Sequence, residues 1–203
     1  MFLVIEGIDG AGTTTQTERL AVALGERGIA THRTREPTDG PIGKLLRQIL
    51  AGEHAPTDAT TLGLLFAADR ADHLQREITP ALERGEVVIS DRYYHSSLAY
   101  QGSEEDRGWI STLNQRALVP DCTFFLEVDP KVAAKRRDDD NRDEELFDKL
   151  ETQVRVAEGY RQVVEARRAT EQIECIDGHQ SLDAIHNILV ERTLSLLAEK
   201  VGL

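Results

Sequence analysis

The chain has 203 residues, 40% of them hydrophobic and 30% charged, with a formal net charge of −12. That is enough for one domain with a sizeable core and a soluble surface. The acidic balance excludes a broad nucleic-acid surface, which needs a basic patch to displace counterions. The longest apolar runs, such as Val87-Val88-Ile89, are far too short to span a bilayer, so no membrane association is expected.

In chain order, short apolar runs alternate with segments of helical period. The first run, Phe2–Glu6, reads as a buried strand, because the N-terminus has neither the basic segment nor the long apolar stretch of a signal peptide. A helix is expected over Thr14–Glu26, with Leu20, Ala23 and Leu24 on one face and Gly25 and Gly28 as stops. A strand at Ala30–Arg35 follows, then a helix over Pro41–Leu50 opened by its proline. The long periodic stretch Thr57–Arg84 contains Pro80, a point for a kink or break. Strands are expected at Glu86–Ser90, Thr123–Val128 and Gln172–Ile176, and helices over Asp143–Arg168 and Leu182–Lys200.

This alternation predicts an α/β fold of three layers, with a parallel sheet of about five strands covered by helices. No linker or repeat divides the chain, so residues 1–203 are expected to form a single domain. Cys122 and Cys175 sit in apolar stretches without metal or redox spacing, so buried, reduced thiols and a cytoplasmic location are expected.

In such folds ligands sit beyond the carboxyl ends of the strands. After the first strand come Gly7, Ile8, Asp9, Gly10, Ala11, Gly12, Thr13 and Thr14, followed by a helix. This matches the P-loop pattern of glycine, four residues, glycine, lysine and a hydroxyl residue at every fixed position except the lysine. The glycines let backbone N–H groups curl around a phosphate at a helix N-terminus, and Thr14 stands where a hydroxyl meets Mg²⁺. Thr13 occupies the lysine position and offers no charge. Losing a desolvated charge–phosphate contact costs about 2–5 kcal/mol, roughly thirtyfold or more in rate.

Further segments stand at strand ends or on helices: Thr34-Arg35-Glu36-Pro37, Phe66-Ala67-Ala68-Asp69-Arg70, Asp91-Arg92-Tyr93 and Ser96-Ser97-Leu98-Ala99-Tyr100-Gln101-Gly102. Together with Glu6 to Gln16, in this order and spacing, they resemble the thymidylate kinase family. The resemblance implies a P-loop nucleoside monophosphate kinase fold that transfers phosphate from ATP to dTMP with Mg²⁺, in a homodimer. It implies that Asp9 meets the sugar 3′-hydroxyl, that Arg35 and Arg92 grip the acceptor phosphate, and that Phe66 and Arg70, four apart on one helix face, stack on and hydrogen-bond the base. Ser97 is placed near the base and Tyr100 near the sugar 2′ position. Asp91 is expected to join Thr14 at the metal, with Asp91 and Arg92 serving the transfer itself.

Lys135, Arg136, Arg137 and Arg142 crowd the region after the fourth strand, where the resemblance places a mobile lid at about 135–147. Arg142, and after it Arg137, are the candidates to replace the lysine charge; the other reading of this mixed-charge run is a solvated surface. Two rival functions stay open from sequence: a kinase for another nucleoside or nucleotide, and a nucleotide-binding protein that has lost catalysis.

Overall fold

The computed structural model describes residues 1–54, 57–103, 105–139 and 146–201. One five-stranded sheet runs in the order β2-β3-β1-β4-β5, with every adjacent pair parallel. Its strands are β1 (Phe2–Gly7), β2 (Thr31–Arg35), β3 (Val87–Asp91), β4 (Cys122–Glu127) and β5 (Ile173–Asp177). All five expected strands are present, each within a residue or so of its anticipated ends.

Alternate residues of β1 serve opposite faces, as strand geometry requires. Leu3 and Ile5 pack with Leu20 and Leu24 of α1 (Thr13–Gly25) and with Ile185 and Leu189 of α9 (Leu182–Val201). Phe2 and Val4 pack with Ile78, Ala81 and Leu98 on the other side. The middle strands are therefore buried on both faces and read as continuous apolar runs. Edge strand β5 is not: Cys122 on β4 is buried, but Cys175 is exposed, which corrects the expectation of two buried thiols. Both cysteines are free.

The helix α2 (Pro41–Leu50) has its expected bounds. The long stretch forms α3 (Ala59–His73), a π turn over Leu74–Ile78 and α4 (Thr79–Glu83). Asp58 caps α3 by accepting from the Thr61 N–H at 2.7 Å. Pro80 lies in the first turn of α4 and the helix runs past it. The widened turn before it, with the Thr79 N–H bonded to the Leu74 carbonyl, makes room for a residue that cannot donate. The helices α5 (Tyr94–Tyr100), α6 (Arg107–Leu113) and α7 (Pro130–Asp139) were not anticipated, and α8 covers Leu150–Arg167.

Register places the loops that matter side by side. Ile5 of β1 and Arg35 of β2 both align with Asp91 of β3. The segments that follow these strands therefore leave the sheet at one edge of one crevice.

Candidate active site

The loop after β1 turns through two left-handed glycines, Gly10 at φ 88° and Gly12 at φ 93°. At Gly10 a Cβ would lie 2.4 Å from the Ala133 carbonyl oxygen of α7, so backbone packs directly on backbone. The Gly12 N-cap brings no side-chain hydrogen bond to the start of α1, and the first turn holds no acidic residue. That leaves the positive end of a 13-residue helix facing the loop. Thr13, at the lysine position, is buried. The Thr14 hydroxyl donates to Asp91 Oδ2 at 2.5 Å. The other Asp91 oxygen, Oδ1, is buried without a hydrogen-bond partner among the described residues.

Beside this loop Arg92 takes a left-handed backbone, φ 69°, uncommon for a non-glycine residue. Its guanidinium donates to the Gly7 carbonyl at 2.8 Å and to Asp9 Oδ1 at 2.6 Å, and it lies over the Tyr100 ring. Burial works against the Arg92 charge; Tyr100, Asp9, Tyr160 and Asp91 more than offset it, so the group stays cationic. Asp9 Oδ2 accepts from the Tyr100 hydroxyl and from Gln153 Nε2, each at 2.8 Å. Burial pushes the Tyr100 phenol up, keeping it a neutral donor. Glu6, wholly buried at the end of β1, accepts from the Tyr93 N–H at 2.8 Å and the Ser96 hydroxyl at 2.7 Å, and so fastens the start of α5 to the P-loop strand.

Six of the seven expected substrate residues (Asp9, Phe66, Arg70, Arg92, Ser97 and Tyr100) line one cleft of about 570 Å³. Phe66 is half-buried there, and Phe147 lines the same cleft with its ring edge-on to Tyr100. Arg70 is buried among Glu36, Ser97 and Asn114. Arg35 stands apart, in a neighbouring cleft with Thr14 and Asp91, its guanidinium half-exposed and paired with Asp39 at 2.9 Å. The sequence reading missed Glu36, Asn114, Gln153, Glu6 and Phe147. Glu36 and Glu6 carried a signal, each standing in a quoted motif, but nothing in their positions reveals that Glu36 faces Arg70 or that Glu6 holds the start of α5.

Of the basic run, Arg142 lies outside the described residues, as do residues 140–145 of the expected lid. Lys135 is exposed. Arg136 donates to the Gly178 carbonyl. Arg137 is buried: it donates to the Asp9 carbonyl and to the Asp148 carbonyl, and pairs with the Asp148 carboxylate at 3.1 Å. Its charge holds the P-loop backbone, a different task from reaching over the phosphates.

A glycine loop at a helix N-terminus, a hydroxyl and a carboxylate beside it, and an adjoining cleft with paired arginines define a P-loop phosphotransferase on an α/β fold. The thymidylate kinase family model matches residues 5–189. The "Probable thymidylate kinase" of Thermococcus kodakarensis is 39% identical, with the match covering 98% of this chain and 100% of that one. Its counterpart in Thermococcus gammatolerans is 40% identical over 94% of both. The "Thymidylate kinase" of a Synechococcus species is 42% identical over 82% of this chain and 84% of its own. The chain belongs to the thymidylate kinase family. Among the described residues no helix is long and apolar enough to cross a membrane.

Proposed function

We propose that this chain transfers the γ-phosphoryl group of ATP to dTMP through the two clefts described above. The dTMP phosphate oxygen attacks the γ-phosphorus, the bond to the bridging oxygen breaks, and ADP and dTDP leave. What carries this reading is the convergence of Asp9, Arg70, Arg92 and Tyr100 on one cleft beside a P-loop. The N–H groups opening α1 bind donor phosphate, Arg92 grips the acceptor phosphate, and Arg35 reaches toward the same transfer zone from its own cleft. Phe66, Arg70 and Ser97 take the base, and Asp9 and Tyr100 the sugar. Such chemistry rests on positioning and charge neutralisation more than on proton transfer.

Thr14 and the unpartnered Oδ1 of Asp91 fit a Mg²⁺ site, because Mg²⁺ keeps most of its waters and takes few protein oxygens beside substrate phosphates. Bound there, the ion supplies neutralisation of phosphate charge. Arg142 is the first candidate for the replacement cation, and Arg142→Ala is then expected to lower kcat far more than it weakens dTMP binding.

A homodimer is part of the same proposal. Leu64 is 50% exposed on α3, with Ala68 and Ala71 exposed on the same face, a small-residue stripe that suits close packing against a second copy. Sedimentation of native protein and Leu64→Lys tests this. A cytoplasmic site fits ATP as substrate and the free thiols.

The function is tested by ADP release from Mg·ATP with dTMP, dUMP, UMP and thymidine offered separately. Turnover strongest with dTMP supports the reading. Thr13 favours one alternative, a binder without catalysis, which predicts tight dTMP binding with no ADP release.

A further inference from the structure

Arg70 is fully enclosed, and its donors are largely committed. Nε and Nη2 donate to Glu36 Oε2 at 2.9 and 2.6 Å, Nη2 also to the Ser97 hydroxyl at 3.1 Å, and Nη1 to Asn114 Oδ1. A guanidinium has five N–H donors, so among the described residues these bonds leave one, on Nη1, for a ligand. Asn114 is itself pinned, its amide donating to the Ile110 carbonyl at 2.8 Å.

Glu36 in turn is held from behind. Its Oε1 lies 3.0 Å from His73 Nδ1, and His73 Nε2 lies 2.7 Å from the Thr34 hydroxyl. That hydroxyl is 2.8 Å from Glu77 Oε2. With Glu36 and Glu77 both as carboxylates, the donor accounting closes in one way. A carboxylate only accepts, so the single Thr34 proton goes to Glu77, and the Thr34 oxygen must accept from His73 Nε2–H. Glu36, ionised beside Arg70, likewise accepts from His73 Nδ1–H. Both ring nitrogens of His73 are then donors.

We infer that His73 is held as an imidazolium between Glu36 and Glu77, and that through Glu36 it is a positioning residue that fixes Arg70 for base selection. The groups facing the ring fit a cation: Glu36 from the end of β2, Glu77 from the π turn and the nearby Asp69 of α3, against Arg70. His32 Nε2 lies 3.5 Å from the same Glu77 oxygen. The π turn begins at Leu74, directly after His73, and carries Glu77 to the same hydroxyl.

The function of this arrangement follows from the donor left over. One fixed N–H meets a base carbonyl; an amino group at that position sets donor against donor, the kind of mismatch that polar sites reject strongly. Loosening Glu36 frees Arg70 to turn, and discrimination between a carbonyl and an amino pyrimidine falls. The inference rests on the proposed base cleft and goes beyond it by naming what sets its selectivity.

Two measurements test it. The ¹⁵N NMR spectrum of the unsubstituted, ligand-free protein at pH 7 is expected to show both His73 ring nitrogens protonated; one unprotonated nitrogen overturns the inference. His73→Gln and Glu36→Gln are then compared with the parent for dTMP and dCMP. The expected result is a KM for dTMP raised about tenfold and a dTMP-to-dCMP preference lowered by about as much, with kcat changed by less than about threefold. Unchanged preference in both variants overturns it, as does a loss confined to kcat. If the parent itself does not turn over dTMP, the proposed function fails, while the ring spectrum still reads the state of His73.

Discussion

Asp9 and Arg92 lie 83 positions apart in the chain and meet as an ion pair of 2.6 Å, so the phosphate loop and the segment after β3 form one rigid wall. The same Arg92 also bonds the Gly7 carbonyl, and Asp9 collects Tyr100 and Gln153 on its other oxygen. The left-handed backbone of Arg92 is the local cost of aiming its fork back at the loop.

Asp9→Asn removes the charge that holds this fork. Breaking a largely desolvated pair costs about 2–5 kcal/mol, so kcat/KM for dTMP is expected to fall about a hundredfold. Initial-rate kinetics check this; a fall under about threefold means that the pair does not organise the site.

Asp91→Asn tests the proposed metal site apart from the proposed dTMP cleft. With the Thr14 hydroxyl bond still available, kcat is expected to drop about a hundredfold, half-saturation in Mg²⁺ to rise, and KM for dTMP to stay nearly constant. A Mg²⁺ titration at saturating dTMP reads the difference.

The strands were legible because the middle of the sheet is buried on both faces, which writes uninterrupted apolar runs into β1, β3 and β4. The short helices were not: α5 and α6 have seven residues each, and α5 is held by Glu6 from another strand rather than by its own caps. The site was legible where motifs sit at strand ends. Its charge pairing was not, because partners such as Arg70 with Glu36, or Arg137 with Asp148, are set by tertiary packing and leave no spacing signature. Arg35 illustrates the limit: its motif was read, but its pairing with Asp39 and its separate cleft depend on where β2 ends.

Gly10→Ala and Gly12→Ala differ in what the added methyl meets. Both force a non-glycine residue into a left-handed conformation, worth about 1–2 kcal/mol. At Gly10 the methyl also strikes the Ala133 carbonyl, whereas among the described residues nothing lies within 4 Å at Gly12. Urea unfolding is expected to show a loss of about 2–4 kcal/mol for Gly10→Ala and about half that for Gly12→Ala.

Glu171 gives a pH signature remote from the site. Burial pushes its carboxyl up, but hydrogen bonds from His95, Tyr94 and Arg167 outweigh burial and hold it at about 2. A carboxyl held below its unfolded value binds fewer protons in the native state, so its stabilisation is complete above about pH 4.5 and is lost as pH falls toward about 2. Thermal unfolding followed from pH 6 to pH 2 is expected to show a steeper decline for the parent than for Glu171→Gln. Parallel curves contradict this role.

The most direct test of the whole account is dTDP formation from dTMP and Mg·ATP by the native chain, measured beside Thr13→Lys. The account predicts robust dTMP-dependent turnover by the native protein and a gain below about tenfold on introducing the lysine, as expected if another cation takes over the charge that Thr13 lacks. Absence of dTDP from the native chain, or its appearance only with Lys at position 13, would contradict the assignment of this protein as a working kinase.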